Sequence, residues 1–152
     1  MWILAREQAL TGLGRDGALR GSATGLSSRA TGGGSCTVWS YDLAAESAAR
    51  LAAERLAILG DPAEAAGLEA VATWRAAPVD RLETVPWNPI ECNADDAREA
   101  VDLLSRPDAF YAVVRTEDVA AVLIVSPSDA RYLRSRFSYR RGDERNLGDA
   151  DF

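Results

Sequence analysis

The sequence contains no histidine and no lysine, so all 17 of its basic residues are arginine. Without histidine, the chain cannot form a Ser–His or Cys–His nucleophile pair or the most common zinc sites. Without lysine, it cannot form a Schiff base or the lysine-containing P-loop that grips phosphate. We interpret the exclusive use of arginine as the codon bias of a GC-rich bacterium or its phage. Carboxylates, tyrosines, two cysteines and arginines remain for function.

Long apolar runs are also missing. The longest run covers residues 119–125, far short of the roughly 20 apolar residues that span a membrane as a helix. Charges at Arg6 and Glu7 interrupt the start before it can form the apolar core of a secretion signal. Two cysteines are few for a secreted domain of this size. We therefore predict a single domain over residues 1–152, located in the cytoplasm, and this location favours free thiols at Cys36 and Cys92.

The net charge of −6 is unevenly distributed. Residues 36–130 contain seven arginines and seventeen acidic residues, whereas residues 131–152 contain six arginines and four acidic residues. An acidic body disfavours nucleic acid as a partner, because the phosphate backbone attracts basic surfaces. The pattern instead favours another protein, for example a basic one, or association of the chain with itself as a homodimer.

The hydrophobic periodicity predicts strands at residues 2–10, 36–41, 68–76, 109–115 and 119–125. It predicts helices at residues 42–59, 94–105 and 128–137, and Asn93 is the expected N-cap of the second helix. The glycine-rich segment 11–35 is either a mobile loop or a loose hairpin. Residues 138–152 form a polar tail. This order of elements predicts an α+β two-layer sandwich, with a mostly antiparallel sheet and two or three helices on one face.

Two short motifs resemble phosphate sites without meeting their requirements. Gly12, Gly14 and Gly17 have the G-x-G-x-x-G spacing of dinucleotide sites, but no helix is predicted after Gly17 to direct its N-terminus at a phosphate. Cys92 and Arg98 have the C-x5-R spacing of tyrosine phosphatases, but acidic residues stand between them and would repel phosphate. We therefore interpret the first motif as a turn and Cys92 as a buried residue.

The second predicted helix presents a stripe of carboxylates, because Asp95, Glu99 and Asp102 follow each other at helical spacing. Such a stripe is either a solvated face or a surface that meets a basic partner or a cation. Trp87 lies in a loop between two prolines, and a rigid tryptophan of this kind either anchors an interface or fills the edge of the core.

The most unusual segment combines arginines with aromatic residues between positions 131 and 141. Arginine and tyrosine are enriched at protein interfaces, and they also bind carboxylates or stack on bases. The alternative is that these arginines pair with the acidic body of the same chain. The candidate binding residues here are Arg131, Tyr132, Arg134, Arg140 and Arg141.

These observations predict a non-catalytic protein-binding module, such as an inhibitor, an immunity-type protein or a small accessory or assembly protein. The alternative is a small enzyme or binding protein that acts on an anionic, phosphorylated ligand through the glycine-rich loop and the arginines. We predict no catalytic residue, no cofactor and no metal site. The missing residue types argue against enzymatic activity, since most familiar catalytic pairs require histidine or lysine.

Overall fold

The computed structural model describes residues 6–31, 33–78, 85–86, 89 and 92–139. Its helices are α1 (Ala45–Glu54), α2 (Pro62–Ala66) and α3 (Ala94–Leu104). Its strands are β1 (Gln8–Ala9), β2 (Arg20–Thr31), β3 (Gly34–Leu43), β4 (Arg75–Ala76), β5 (Phe110–Arg115), β6 (Val119–Ser126) and β7 (Arg131–Tyr139). The strands form one sheet in the order β1-β2-β3-β7-β6-β5-β4, and every neighbouring pair is antiparallel. The predicted α+β class is confirmed.

Local sequence signals explain the elements that were predicted well. The β5–β6 hairpin is confirmed, and its turn is closed by Thr116, whose backbone N–H donates to the Val119 carbonyl at 2.8 Å. The Thr116 hydroxyl also accepts from the Val119 backbone N–H at 3.2 Å. The Asn93 cap of α3 is confirmed as well, because its side-chain oxygen accepts from the Asp96 backbone N–H at 2.8 Å.

The glycine-rich segment contributes a long strand to the sheet. The sequence left two interpretations of this segment open, a mobile loop and a loose hairpin. In the structure, part of the segment forms β2, which pairs antiparallel with β3 over most of its length. A bulge between Ala23 and Gly25 shifts the register once. Alternating Ser, Thr and Ala side chains suit a pleated strand once β3 supplies the backbone hydrogen bonds.

The helix predicted at residues 128–137 is wrong, because this segment contains β7, the middle strand of the sheet. From Leu133 to Tyr139, buried residues alternate with half-buried ones, which is the period of a strand. Strand β7 pairs with β3 on one side and β6 on the other, and it ends at Tyr139, so the first two residues of the predicted tail belong to the sheet.

Helices cover both faces of the sheet, which corrects the two-layer expectation of helices on one face. Odd-numbered residues of β6 pack in one core with buried side chains of α1 and α2, including Leu51 and Ala63. Even-numbered residues of β6 pack in another core with α3, including Leu103 and Leu104. Successive strand residues point to opposite faces, so α3 lies opposite α1 and α2. All of β6 is buried accordingly.

A disulfide joins Cys36 of β3 to Cys92 next to α3, with the Cα atoms 5.7 Å apart. This corrects the expectation of free thiols, which rested on the predicted cytoplasmic location. Both residues are buried beside Val38, Ala120 and Phe137. No helix within the described part of the chain is long and apolar enough to cross a membrane.

Candidate functional site

Strand β7 places its arginines alternately on the two faces of the sheet. Arg131 faces α3, as its contact with that helix shows, whereas Arg134 faces the side of α2 and Arg136 shares its face by register. The predicted arginine cluster is therefore divided into two environments. Arg140 and Arg141 lie outside the described residues, and so does Trp87.

Arg131 is held by acidic groups of the same chain. Its Nε and Nη2 donate to the two carboxylate oxygens of Glu99 at 2.7 and 2.9 Å, and its Nη1 donates to Asp42 at 3.0 Å. The hydrogen bond to Glu99 raises the pKa of Arg131, and the bond to Asp42 adds to this effect. Only 19% of the Arg131 side chain is exposed. This arginine ties α3 to the sheet.

The carboxylate stripe of α3 is partly neutralised by these contacts. Glu99 is engaged by Arg131, and the carboxylate of Asp95 lies 3.6 Å from the guanidinium of Arg98. Asp102 and Asp95 remain exposed. The described residues contain no group of three or more side chains that could hold a metal ion. A partner at this face would therefore meet Asp102 as the carboxylate of the stripe without an arginine neighbour in the described part of the chain, since Glu99 and Asp95 each have one.

Arg134 has a different environment, because no acidic side chain of the described residues pairs with it. Its guanidinium carbon lies 4.2 Å from the centroid of the Trp39 ring, and its Nη1 donates to the Ala65 carbonyl at 3.2 Å. Its Nε is buried without a hydrogen-bond partner within the described chain. A half-buried cation without a counter-charge is costly, and a guanidinium with unused donors can bind a carboxylate or a phosphate.

Tyr132 lies two residues away on the same face, and only 3% of it is exposed. Its ring stacks on Tyr41 with the centroids 5.3 Å apart. Its hydroxyl has no hydrogen-bond partner among the described residues. Burial raises the pKa of this hydroxyl well above its ordinary value, against a smaller lowering effect of Arg134. Tyr132 therefore stays protonated in the folded protein and keeps a proton to donate.

A cavity of about 180 Å³ adjoins both side chains. Gln8 and Thr11, which are exposed, stand on its solvent side, and Tyr41 forms part of its wall. It is lined by Gln8, Ala9, Leu10, Thr11, Tyr41, Tyr132 and Arg134. The sequence had indicated Tyr132 and Arg134, but no local pattern indicated Gln8, Thr11 or Tyr41. They meet through the pairing of β1 with β2 and of β3 with β7.

The buried Tyr132 hydroxyl makes stability depend on alkaline pH. A raised pKa in the folded state stabilises the protein below the unfolded pKa of about 10, and this contribution is lost as the pH rises above it. Above pH ~10, we expect the free energy of unfolding of the wild type to decrease with pH more steeply than that of Tyr132→Phe. The difference between the two slopes should be about 1 kcal/mol per pH unit. Urea unfolding at pH ~9 and ~11 measures the difference, and parallel slopes would contradict it.

The G-x-G-x-x-G segment serves packing rather than phosphate binding. A Cβ at Gly12 would come within 2.5 Å of the Ala65 backbone nitrogen, and Gly17 has a φ of +72°. A groove of about 870 Å³ runs beside these glycines, but Asp16 and Glu64 also line it and would repel a phosphate. Strand β2 follows Gly17 instead of a helix. The groove therefore lacks the features of a dinucleotide site.

The C-x5-R motif is equally excluded as a phosphatase site. Cys92 is bonded to Cys36, and a disulfide sulfur is not the thiolate nucleophile that this chemistry requires. Arg98 is exposed and ion-paired with Asp95.

The outer strand β2 carries an exposed leucine on the face of Arg134. Leu26 is 65% exposed, lies opposite Trp39 of β3, and Trp39 lies opposite Arg134 of β7. Thr37 and Arg136 are a second pair on the same face. We call Leu26, Thr37, Trp39 and Arg136 the edge patch. Strand β1 pairs with β2 only at Arg20 and Gly21, so residues 25–31 have no outer neighbour in the described part of the chain.

Comparison with known proteins adds no relative from which a role could be transferred. No protein-family model matches the chain, and neither does any curated protein or solved structure. The function must therefore be argued from the site alone.

Proposed function

We propose that the protein is a non-catalytic binding module that recognises another protein through the outer edge of its sheet. The observation that carries this proposal is the exposed Leu26 at the end of a cross-strand row that continues into Trp39 and Arg134. Tryptophan and arginine are enriched among the residues that dominate binding energy, and an apolar neighbour helps to exclude water around them.

The backbone of β2 supports the same proposal. A strand edge presents a row of N–H and C=O groups that can pair with an extended segment of another chain. Residues 25–31 contain neither proline nor an acidic residue, and Arg29 is their only charge. Natural sheets usually protect such edges with charges, prolines or bulges. Here the bulge lies at one end, between Ala23 and Gly25, and the rest of the strand is regular.

The charge of this region indicates an acidic partner segment. Arg29, Arg134 and Arg136 lie on β2 and β7, and no acidic residue occurs at positions 25–31, 34–40 or 133–139. An extended segment with carboxylate side chains would therefore complement the edge. This differs from the basic partner suggested by the α3 stripe, where Glu99 is already paired with Arg131. The cytoplasmic location stays a prediction, and the disulfide weighs against it because cytosolic thiols are kept reduced.

The proposal is tested by replacing Leu26 with a charge that repels an acidic segment. We expect Leu26→Asp to weaken partner binding at least about tenfold, while Leu56→Asp, at another exposed leucine, leaves it unchanged. Affinity purification from the native host, compared by quantitative mass spectrometry between the two variants, identifies the partner. Titration of the purified partner then measures the affinity, and protection of β2 amides from hydrogen exchange locates the contact.

Two competing surfaces give different results in the same experiment. One competing surface is tested by the double variant Asp95→Arg with Asp102→Arg, and the other by Trp87→Ala. If either of these abolishes binding and Leu26→Asp does not, the edge patch is not the recognition surface. Sedimentation equilibrium of the purified chain covers the remaining case. A homodimer that Leu26→Asp dissociates would show that a second copy occupies the edge, and would contradict an acidic segment of another protein as its partner.

A further inference from the structure

We propose that the cavity beside Tyr132 and Arg134 binds a small organic carboxylate, with Arg134 as its counter-charge and the Tyr132 hydroxyl as a second donor. The inference concerns the cavity beside β1 and not the open edge of β2, although Arg134 also belongs to the row that carries the proposed function. It rests on three observations: a cation without a counter-charge, a buried hydroxyl without a partner, and an adjoining cavity within the described residues.

The donor inventory supports an anionic ligand. A guanidinium has five N–H donors, and a tyrosine hydroxyl donates one more. Arg134 uses one of its donors on the Ala65 carbonyl, while its Nε and the Tyr132 hydroxyl have no acceptor in the described chain. A carboxylate supplies two acceptor oxygens, and hydrogen bonds to an ionised acceptor are the strong ones.

The charge and size of the cavity select the class of ligand. One guanidinium matches the single negative charge of a carboxylate, whereas a phosphate dianion would keep an uncompensated charge. The cavity of about 180 Å³ is smaller than the roughly 300–1,000 Å³ of sites for drug-sized molecules. The stacked rings of Tyr41 and Tyr132 offer an apolar wall. These features fit a carboxylate with a short apolar body.

Entry to the cavity involves the segment around β1. Gln8 and Thr11 are exposed and stand on the solvent side, and their amide and hydroxyl can bind the second oxygen or a polar substituent of the ligand. The Arg134 Nε and the Tyr132 hydroxyl are shielded from solvent. For a ligand to reach these two atoms, the Arg134 side chain must shift over the Trp39 ring. No ion pair within the described residues holds the Arg134 side chain in place.

Isothermal titration calorimetry with four probes tests the inference: acetate, propionate, inorganic phosphate and the neutral propionamide. We expect saturable binding of the carboxylates at roughly millimolar concentration, weaker binding of phosphate, and none of propionamide. Arg134→Gln should lower the carboxylate affinity about tenfold or more, and Tyr132→Phe several-fold. Arg75→Gln, at an exposed arginine of β4 on the far edge of the sheet and outside the cavity, should leave it unchanged.

Each other outcome overturns the inference. Absence of saturable carboxylate binding to the wild type removes the site, and tighter binding of phosphate than of acetate or propionate removes the ligand class. Equal losses in Arg134→Gln and Arg75→Gln would show a general charge effect. If Arg134→Gln fails to fold, Tyr132→Phe decides alone, because it removes one oxygen and keeps the stacked ring. Unchanged carboxylate affinity in Tyr132→Phe would then exclude the site.

Discussion

Reduction of the Cys36–Cys92 disulfide should lower the free energy of unfolding by ~4 kcal/mol. The bond joins residues separated by 56 positions, and it ties the beginning of β3 to the segment that directly precedes α3. Closing a loop of this length removes many conformations from the unfolded chain, which is the main source of the expected stabilisation in the chain-entropy model. A loss of this size is a large fraction of the roughly 5–15 kcal/mol by which domains are stable.

Urea unfolding with and without a phosphine reductant measures this effect. The double variant Cys36→Ala with Cys92→Ala should match the reduced wild type, and the reductant should not change its urea midpoint. Because only 3% of Cys36 and 2% of Cys92 are exposed, the reductant must be equilibrated with the protein in urea before refolding. A difference below about 1 kcal/mol between oxidised and reduced wild type would contradict the prediction.

The elements that could be predicted from the sequence are those with local causes. The Asn93 cap needs only the Asp96 backbone three residues later, and the β5–β6 hairpin needs only two apolar runs with Thr116 between them. Strand β7 was missed although it has local causes, namely the period-two alternation from Leu133 to Tyr139 and the pairing with β6 across a turn at residues 127–130. Its other neighbour, β3, lies about a hundred residues earlier in the chain, and no local pattern shows that this pairing places β7 in the middle of the sheet.

The candidate sites depended on the same long-range pairing. One alternative from the sequence was that the C-terminal arginines pair with the acidic body of the same chain. This is true of Arg131, which contacts Glu99 and Asp42. It does not describe Arg134, although both residues stand on one strand. The difference arises because the two opposite faces of β7 meet different helices. Arg131 reaches a carboxylate of α3 on one face, whereas Arg134 reaches the backbone of α2 on the other. Sequence composition cannot separate these two environments.

The second large effect on stability is expected at two adjacent residues of β6, because helices cover both faces of the sheet. Leu123 and Ile124 are both fully buried, but Leu123 packs in the core with α1 and α2, whereas Ile124 packs in the core with α3. We expect Leu123→Ala and Ile124→Ala each to lower the free energy of unfolding by about 2–5 kcal/mol, because each removes buried methyl groups and leaves a cavity.

The comparison of these two variants separates the observed fold from a two-layer sandwich. In a sheet with one solvated face, adjacent residues of a strand alternate between core and solvent, so one substitution would cost much and the other would stay within about 0.5 kcal/mol. Leu26→Ala supplies the exposed reference, since Leu26 is 65% exposed, and should fall within that range. Urea unfolding of the three variants measures the effects. A near-zero effect at either Leu123 or Ile124 would contradict a sheet that is covered on both faces, because truncating a fully buried large side chain leaves a cavity on whichever face it occupies.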